Sequence, residues 1–378
     1  LRDAAAPDLL RVPFGALDAD YRERREAIDG AISRVLFRGR FILGEEVAAF
    51  ERELAADLGV ARVVACASGT DAIALALLAA GVSPDDEVLL PANVCVPVIA
   101  GVRLAGARPR LADVDPGTLT LGRAEAERAS TPRVRFFVAV HLYGGLADVP
   151  GLAALALQSG ATLLEDCAQS LGASAAGRKT GSLATAGAFS FYPTKNLGAY
   201  GDGGAVATDD PAIARRVESL RQYGWSRRDF SEVEGRNSRM DELQAAVLRA
   251  KLPFLEEDTT RRREIAERYD SAFSALPLVR LEARPGTTSA PHLYPVRTAA
   301  RDVLSRHLAS RGVETAIHYP LPLHLQPAYA FLGGRRGDFP VAEEACETVL
   351  SLPLYPRMSD EQVEAVTSGV REFFERGG

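Results

Sequence analysis

From residue 62 to residue 220, short apolar β-rich runs alternate with amphipathic or apolar helical stretches, and this alternation constrains the fold more than any other feature. RVVACA (62–67), EVLLP (87–91), RPRLADVD (108–115), VRFFVAVHLYG (134–144), ATLLEDCA (161–168), AGAFSF (186–191) and GGAVATD (203–209) read as strands. TDAIALALLAAG (70–81), VPVIAGVRLAGA (96–107), LAALALQSG (152–160) and PAIARRVESLRQYG (211–224) read as helices between them. Near-continuous apolar strands have no solvent face, so helices must cover both sides of the sheet. The expected architecture is α/β, with a large, mostly parallel sheet. Such sheets bind ligands beyond the carboxyl ends of their strands.

The flanks extend this plan. Residues 18–36 and 45–57 repeat apolar positions at helical spacing, and Gly59 stops the second run. Residues 240–275 are helical in pattern, interrupted at Pro253. The remainder of the chain reads as a small α/β unit. HLYPVR (292–297) and VETAIHY (313–319) are its expected strands. RDVLSRHLASRG (301–312), FPVAEEACETVL (339–350) and MSDEQVEAVTSGVREFFERG (358–377) are its expected helices. The reading places a large domain at 1–255 and a small C-terminal α/β domain at 256–378.

Net charge is −6 over 378 residues, with no lysine- or arginine-rich run, which argues against nucleic acid or an anionic membrane as partner. No apolar run is long enough to span a bilayer. Cys66, Cys95, Cys167 and Cys346 form no C-x-x-C pair and lie in apolar stretches. Reduced thiols in a cytoplasmic protein are expected, not a disulfide scaffold or a zinc site. The segment LRDAAAPDLL has neither the basic nor the apolar region of a signal peptide.

Only three lysines, at 179, 195 and 251, stand among 44 basic residues. Where charge alone is needed, this chain uses arginine, which cannot lose its proton to become an amine nucleophile. Lys179 lies in a polar turn and Lys251 in a helical pattern. Lys195, in AFSFYPTKNLGAYGDGGAVAT, has the apolar and aromatic neighbours that lower an amine's pKa and suit it to Schiff-base formation.

Two further features point the same way. In ACASGTDAIAL (65–75), a strand passes through Ser68, Gly69 and Thr70 into a helix, whose free N-terminal amides suit a phosphate. In ATLLEDCAQSLGA (161–173), a buried strand ends at Glu165 and Asp166, where a carboxylate can hold a protonated ring nitrogen; Gln169 comes three residues later, within reach of a neighbouring oxygen. A phosphate cradle, a strand-end carboxylate and an activated lysine together suggest pyridoxal 5'-phosphate (PLP). Neither G-x-G-x-x-G nor a P-loop occurs at the first strand–helix turn, which argues against nicotinamide or nucleoside triphosphate cofactors.

The chain resembles, nearly end to end, the DegT-like nucleotide-sugar aminotransferases of PLP fold type I. The resemblance is carried by FRGRFILGEEVAAFE (37–51), ASGTDAIAL (67–75), DVDP (113–116), VHLYG (140–144), EDCAQSLGA (165–173), FSFYPTKNLGAYGDGGAV (189–206), GRNSRMDELQAAVL (235–248) and HYPLPLHLQPAY (318–329).

The resemblance implies that Lys195 is the Schiff-base lysine and proton carrier. Asp166 then pairs with the pyridine nitrogen, Gln169 with the ring 3-hydroxyl, and Ala168 lies beside them. Gly69, Thr70 and Ser190 hold the phosphate. Asn237 reaches it from the second subunit of a homodimer with shared sites. Tyr192, His318, Tyr319 and His324 lie near the substrate, and Arg227 and Arg228 meet a diphosphate. Cys95 departs from the family pattern: it stands where an aromatic residue usually stacks on the cofactor, and it is expected to pack there as a thiol.

VHLYG, LRQYGWSRR and GRNSRMDELQAAVL look most like members that aminate C3 of a dTDP-linked 3-keto-6-deoxyhexose, with glutamate as donor. Amination at C4 of a 4-keto sugar, or of a keto-cyclitol, remains open, as does a non-catalytic PLP-binding regulator. The arginine-rich, lysine-poor composition fits a GC-rich genome, where deoxyaminosugar antibiotic pathways are common.

Overall fold

The computed structural model describes residues 10–376. Its centre is a seven-stranded sheet built from β1 (Arg62–Cys66), β2 (Glu87–Pro91), β3 (Arg108–Ala112), β4 (Val134–Val140), β5 (Thr162–Asp166), β6 (Ala186–Ser190) and β7 (Gly204–Thr208). The strand order is β1-β7-β6-β5-β4-β2-β3. Only β7 runs antiparallel to its neighbours, so the other six strands end at the same edge.

Among the described residues, ten helices frame the sheet and the smaller unit beside it: α1 (Leu17–Arg38), α2 (Glu45–Leu58), α3 (Gly69–Ala79), α4 (Val96–Leu104), α5 (Arg123–Ala129), α6 (Val149–Ser159), α7 (Pro211–Leu220), α8 (Glu242–Lys251), α9 (Leu255–Ala272) and α10 (Arg301–Ala309). Two more close the chain, α11 (Pro340–Thr348) and α12 (Asp360–Glu375). On one face of the sheet, α3, α4 and α7 pack over Val88, Leu90, Val138 and Val206. On the other, α2 and α8 cover Val63, Ala65, Phe189 and Ala205, and α5 and α6 cover Leu89, Phe137 and Leu163. The continuous apolar character of the strands is thus used on both faces.

The smaller unit has a three-stranded antiparallel sheet, β8 (Val279–Arg280), β9 (Tyr294–Arg297) and β10 (Val349–Leu352), packed on α9, α10 and α12. Here the structure differs from the sequence expectation. VETAIHY forms only isolated bridges, Val12 with Val313 and Ala316 with Ser351. The partner of β9 is instead β10, whose first residues, Val349 and Leu350, read in sequence as the end of a helix. The pattern FPVAEEACETVL continues its apolar period across the helix end, so periodicity alone does not mark the change.

The division at 255/256 is crossed at both ends of the chain. Val12 is fully buried in the core of the smaller unit. Ala342 and Ala345 of α11 join the core of the large sheet. Asp113 of the DVDP motif fastens α11 there, its carboxylate accepting from the amides of Val341 (3.1 Å) and Ala342 (2.8 Å).

Candidate active site

The strand ends bring together most of the residues singled out in sequence. Ser68 caps α3 by accepting from the Asp71 amide at 3.1 Å, which leaves the first-turn amides of Gly69 and Thr70 without intrahelical partners. Ser190, at the end of β6, faces this terminus. A Cβ on Gly69 would lie 2.5 Å from the Ser190 Cβ and 3.0 Å from its Oγ. A Cβ on Gly204 would likewise meet the Ser68 carbonyl oxygen at 2.2 Å. The glycines therefore permit a close approach that no side chain allows.

Asp166 is the last residue of β5 and is 3 % exposed. One carboxylate oxygen accepts from the Ala168 amide at 3.0 Å, so Ala168 orients Asp166. Burial pushes the Asp166 pKa up, opposed by that amide and by the nearby Lys195 amine. A permanently protonated partner would restore its ionised form.

Glu165, one residue earlier, points to the opposite face and has a different task. It accepts from the amides of Gly181 (2.9 Å), Leu183 (2.8 Å) and Ala184 (2.9 Å). His141 Nδ1 accepts from the Ala147 amide at 3.1 Å, so its Nε2 carries the hydrogen and donates to Glu165 at 3.0 Å. His141, Glu165 and Cys167 lie within metal-ligand distance of one another. The histidine nitrogens and both carboxylate oxygens are already committed to hydrogen bonds, which makes the cluster a structural network.

Lys195 lies in the turn after β6, its amide donating to the Tyr192 carbonyl at 2.8 Å. Burial lowers its amine pKa, while Cys95 and Asp166 raise it. Its charge in turn lowers the pKa values of His292 and His318. The amine thus stands between the strand-end residues and a cavity of about 390 Å³, whose wall includes Tyr192, Lys195 and His318. The His318 pKa is lowered to about 4, by burial first and by Lys195 second, so this ring is neutral near pH 7.

Gln169 Oε1 accepts from the Tyr143 amide at 2.6 Å, and its Nε2 donates to the Tyr319 hydroxyl at 2.9 Å. That hydroxyl also meets the Cys95 thiol. Cys95 precedes α4 and is half-buried beside Asp166 and Lys195. Burial raises its pKa, as does Asp166, which keeps it a thiol and fits a packing role.

Other candidates stand apart. His324 is buried, its Nε2 donates to the Glu343 carboxylate at 2.9 Å, and its ring packs edge-on against Phe339. Its ring does not line the Lys195 cavity. Arg227 stacks on Phe230 in an exposed hairpin, and Arg228 is 88 % exposed beside Asp229. Asn237 is exposed and accepts from Arg239 Nε at 2.9 Å. None of these three lines the cavity of its own chain. Lys251, the last residue of α8 as the helical pattern implies, is buried over the Tyr200 ring, with Asp20 at 2.9 Å and the Gly198 carbonyl at 2.9 Å.

A helix-terminal cradle that only glycine permits, a buried strand-end carboxylate and a lysine of lowered pKa fit PLP and leave each of its polar ends a partner. The comparisons with known proteins agree. The model of the DegT/DnrJ/EryC1/StrS aminotransferase family matches residues 22–371. The chain belongs to this family. It is an aminotransferase, and PLP is its cofactor.

Among similar proteins is the erythromycin biosynthesis sensory transduction protein EryC1 of Saccharopolyspora erythraea, 46% identical over 95% of this chain and 99% of its own. The dTDP-3-amino-3,4,6-trideoxy-alpha-D-glucose transaminase of Streptomyces venezuelae is 44% identical over 97% of each. The crystal structure of S. venezuelae DesV in complex with a ketimine intermediate superposes with a TM-score of 0.95, at 43% identity, covering 97% of this chain and all of that one.

PLP, when bound, supplies an electron sink for the carbon that gains or loses the amino group. The residues of this chain would do the rest. Lys195 would supply the amine that takes and returns a proton. Asp166 would pair with the ring nitrogen. The α3 amides and Ser190 would hold phosphate oxygens, and the neutral His318 and Tyr192 line the cavity beside the amine.

Among the described residues, no helix is long and apolar enough to cross a membrane.

Proposed function

We propose that this aminotransferase moves an amino group from glutamate to C3 of a dTDP-linked 3-keto-6-deoxyhexose, as a cytoplasmic step in deoxyaminosugar biosynthesis. The observation that carries the substrate is the 44% identity, over 97% of both chains, to a transaminase named for a dTDP-3-amino sugar. The cavity beside Lys195 suits that reading: it sits next to the amine, and its wall includes hydrogen-bonding groups of Tyr192 and His318.

The active unit in this reading is a homodimer. Phe37 is 95% exposed, and Leu36, Phe41, Tyr200 and Tyr223 are also exposed apolar groups. They adjoin the Asn237 loop: Ile42 bridges to Asp241, and Arg239 lies over the Tyr223 ring. An apolar face of this kind marks an interface. A two-fold axis there carries Asn237, Arg227 and Arg228 to the partner's site.

The experiment is incubation of PLP-loaded protein with glutamate and a panel of keto-sugar nucleotides, with product regiochemistry read by NMR. Amination at C3 of the dTDP-3-keto sugar is expected. Amination only at C4, or of none of the panel, overturns the substrate.

A further inference from the structure

Six charged side chains besides Lys195 share the wall of the 390 Å³ cavity. Arg24, Lys251, Arg262 and Arg357 line it together with Asp20 and Asp258. Three of the four cations are neutralised. Arg24 binds Asp20 at 2.7 Å and both oxygens of Asp258 at 2.7 and 2.8 Å. Lys251 binds Asp20 at 2.9 Å, and Arg357 binds Asp258 and a third carboxylate, Glu23, each at 2.9 Å. Among the described residues Arg262 has no carboxylate in salt-bridge contact. Its Nη1 donates to the backbone carbonyls of Leu354 (2.8 Å) and His292 (3.4 Å), and its Nε has no partner.

Arg262 is only 7% exposed. Asp258 and Asp20 act on it only from beyond contact, and a buried guanidinium with no carboxylate in contact and an unused donor edge is costly. Other buried polar atoms of the same wall are also without partners: His292 Nδ1, Asn196 Oδ1 and Arg24 Nε. The cavity therefore holds an uncompensated positive charge and several free hydrogen-bonding atoms, next to the amine of Lys195.

We propose that Arg262 is the anchor for a carboxylate of the amino donor, a small dicarboxylic amino acid, and of the 2-oxo acid it becomes. This rests on the aminotransferase reading and deepens it. A guanidinium edge matches a planar carboxylate in two parallel hydrogen bonds. A terminal carboxylate can reach a group this deeply buried. The diphosphate of a nucleotide sugar, flanked by bulk on both sides, cannot. The neutral histidines and Asn196 then meet the donor's remaining polar atoms.

The test uses the full-length, PLP-loaded protein. 2-Oxoglutarate should raise the melting temperature of the parent protein, in competition with glutamate. Inorganic phosphate should not. Absence of a 2-oxoglutarate effect overturns the proposal without any variant. Arg262→Lys and Arg262→Gln should each raise the glutamate concentration needed for half-maximal spectral conversion of the cofactor by about tenfold or more. Their requirement for the nucleotide sugar should stay near that of the parent.

A glutamate requirement within twofold of the parent in a folded variant overturns the assignment. A raised requirement for the nucleotide sugar alone does so too, because Arg262 would then serve the diphosphate. If glutamate conversion depends on Arg262 but no keto-sugar nucleotide is aminated, the sugar reading fails while the anchor stands.

Discussion

Gly69 and Ser190 stand so close that a single added methyl on the glycine would sit 2.5 Å from the serine Cβ. This contact joins the first turn of α3 to the end of β6, where the cofactor phosphate would sit. Gly69→Ala must therefore push Ser190 and the helix terminus apart. PLP affinity, measured by fluorescence titration of apoprotein, should fall by about tenfold or more, the worth of one or two charge-assisted hydrogen bonds. Unchanged affinity would place the phosphate elsewhere.

Asp166→Asn should leave cofactor loading largely intact, since the cradle is built by other residues. Turnover should drop by about a hundredfold or more, because the ring nitrogen loses its buried counter-charge, a change of about 3–5 kcal/mol. Steady-state assay beside a PLP-binding titration separates the two effects. Near-parent turnover would give the carboxylate another task.

Asn237 is exposed and absent from its own chain's cavity wall. If it serves the partner's site, a heterodimer of Lys195→Ala and Asn237→Ala chains has both defects in one site and neither in the other. Mixing two weakened parents should then restore up to about half of full activity per heterodimer. With Asn237→Ala clearly impaired and subunit exchange demonstrated, no recovery on mixing would put Asn237 to work within its own chain.

The pH dependence of stability is set in part by the buried histidines. The His318 pKa is lowered to about 4, and that of His292 falls well below 6.5, both through burial first and nearby positive charge second. Between these folded values and about 6.5 the unfolded chain binds more protons than the native one. This contribution is therefore fully present above about pH 6.5 and is lost as the pH falls toward 4. Melting temperature should decline across that window, and His318→Asn should make the decline shallower. A slope identical to the parent's would show that His318 does not charge on unfolding there.

Much of the fold and of the site is legible in the chain. The strands of the large sheet stand out because each is a short apolar run buried on both faces. Lys195, Asp166 and the Ser68–Thr70 turn are legible because few residue types can do what they do. The misses are long-range. Glu242 closes the start of α2, accepting from the amides of Gly44 (2.7 Å), Glu46 (2.9 Å) and Val47 (2.9 Å) across nearly two hundred residues, and no local pattern signals it. Val12 enters the core of the smaller unit for the same reason. His324 carries a family motif yet pairs with Glu343, a partner 19 residues on that only the folded chain reveals. Arg262 reads in sequence as one of three consecutive arginines on a helix; its missing counter-ion shows only in the packed wall.

The most direct test of the central claim is to reduce the PLP-loaded protein with borohydride and map the modified peptide by mass spectrometry. Burial lowers the Lys195 pKa, so its amine is free at lower pH than that of an ordinary lysine. The cofactor mass should appear on the peptide containing Lys195. It should vanish in Lys195→Arg, which keeps a charge but has no nucleophilic amine. The cofactor on Lys251 or Lys179 instead would contradict the account.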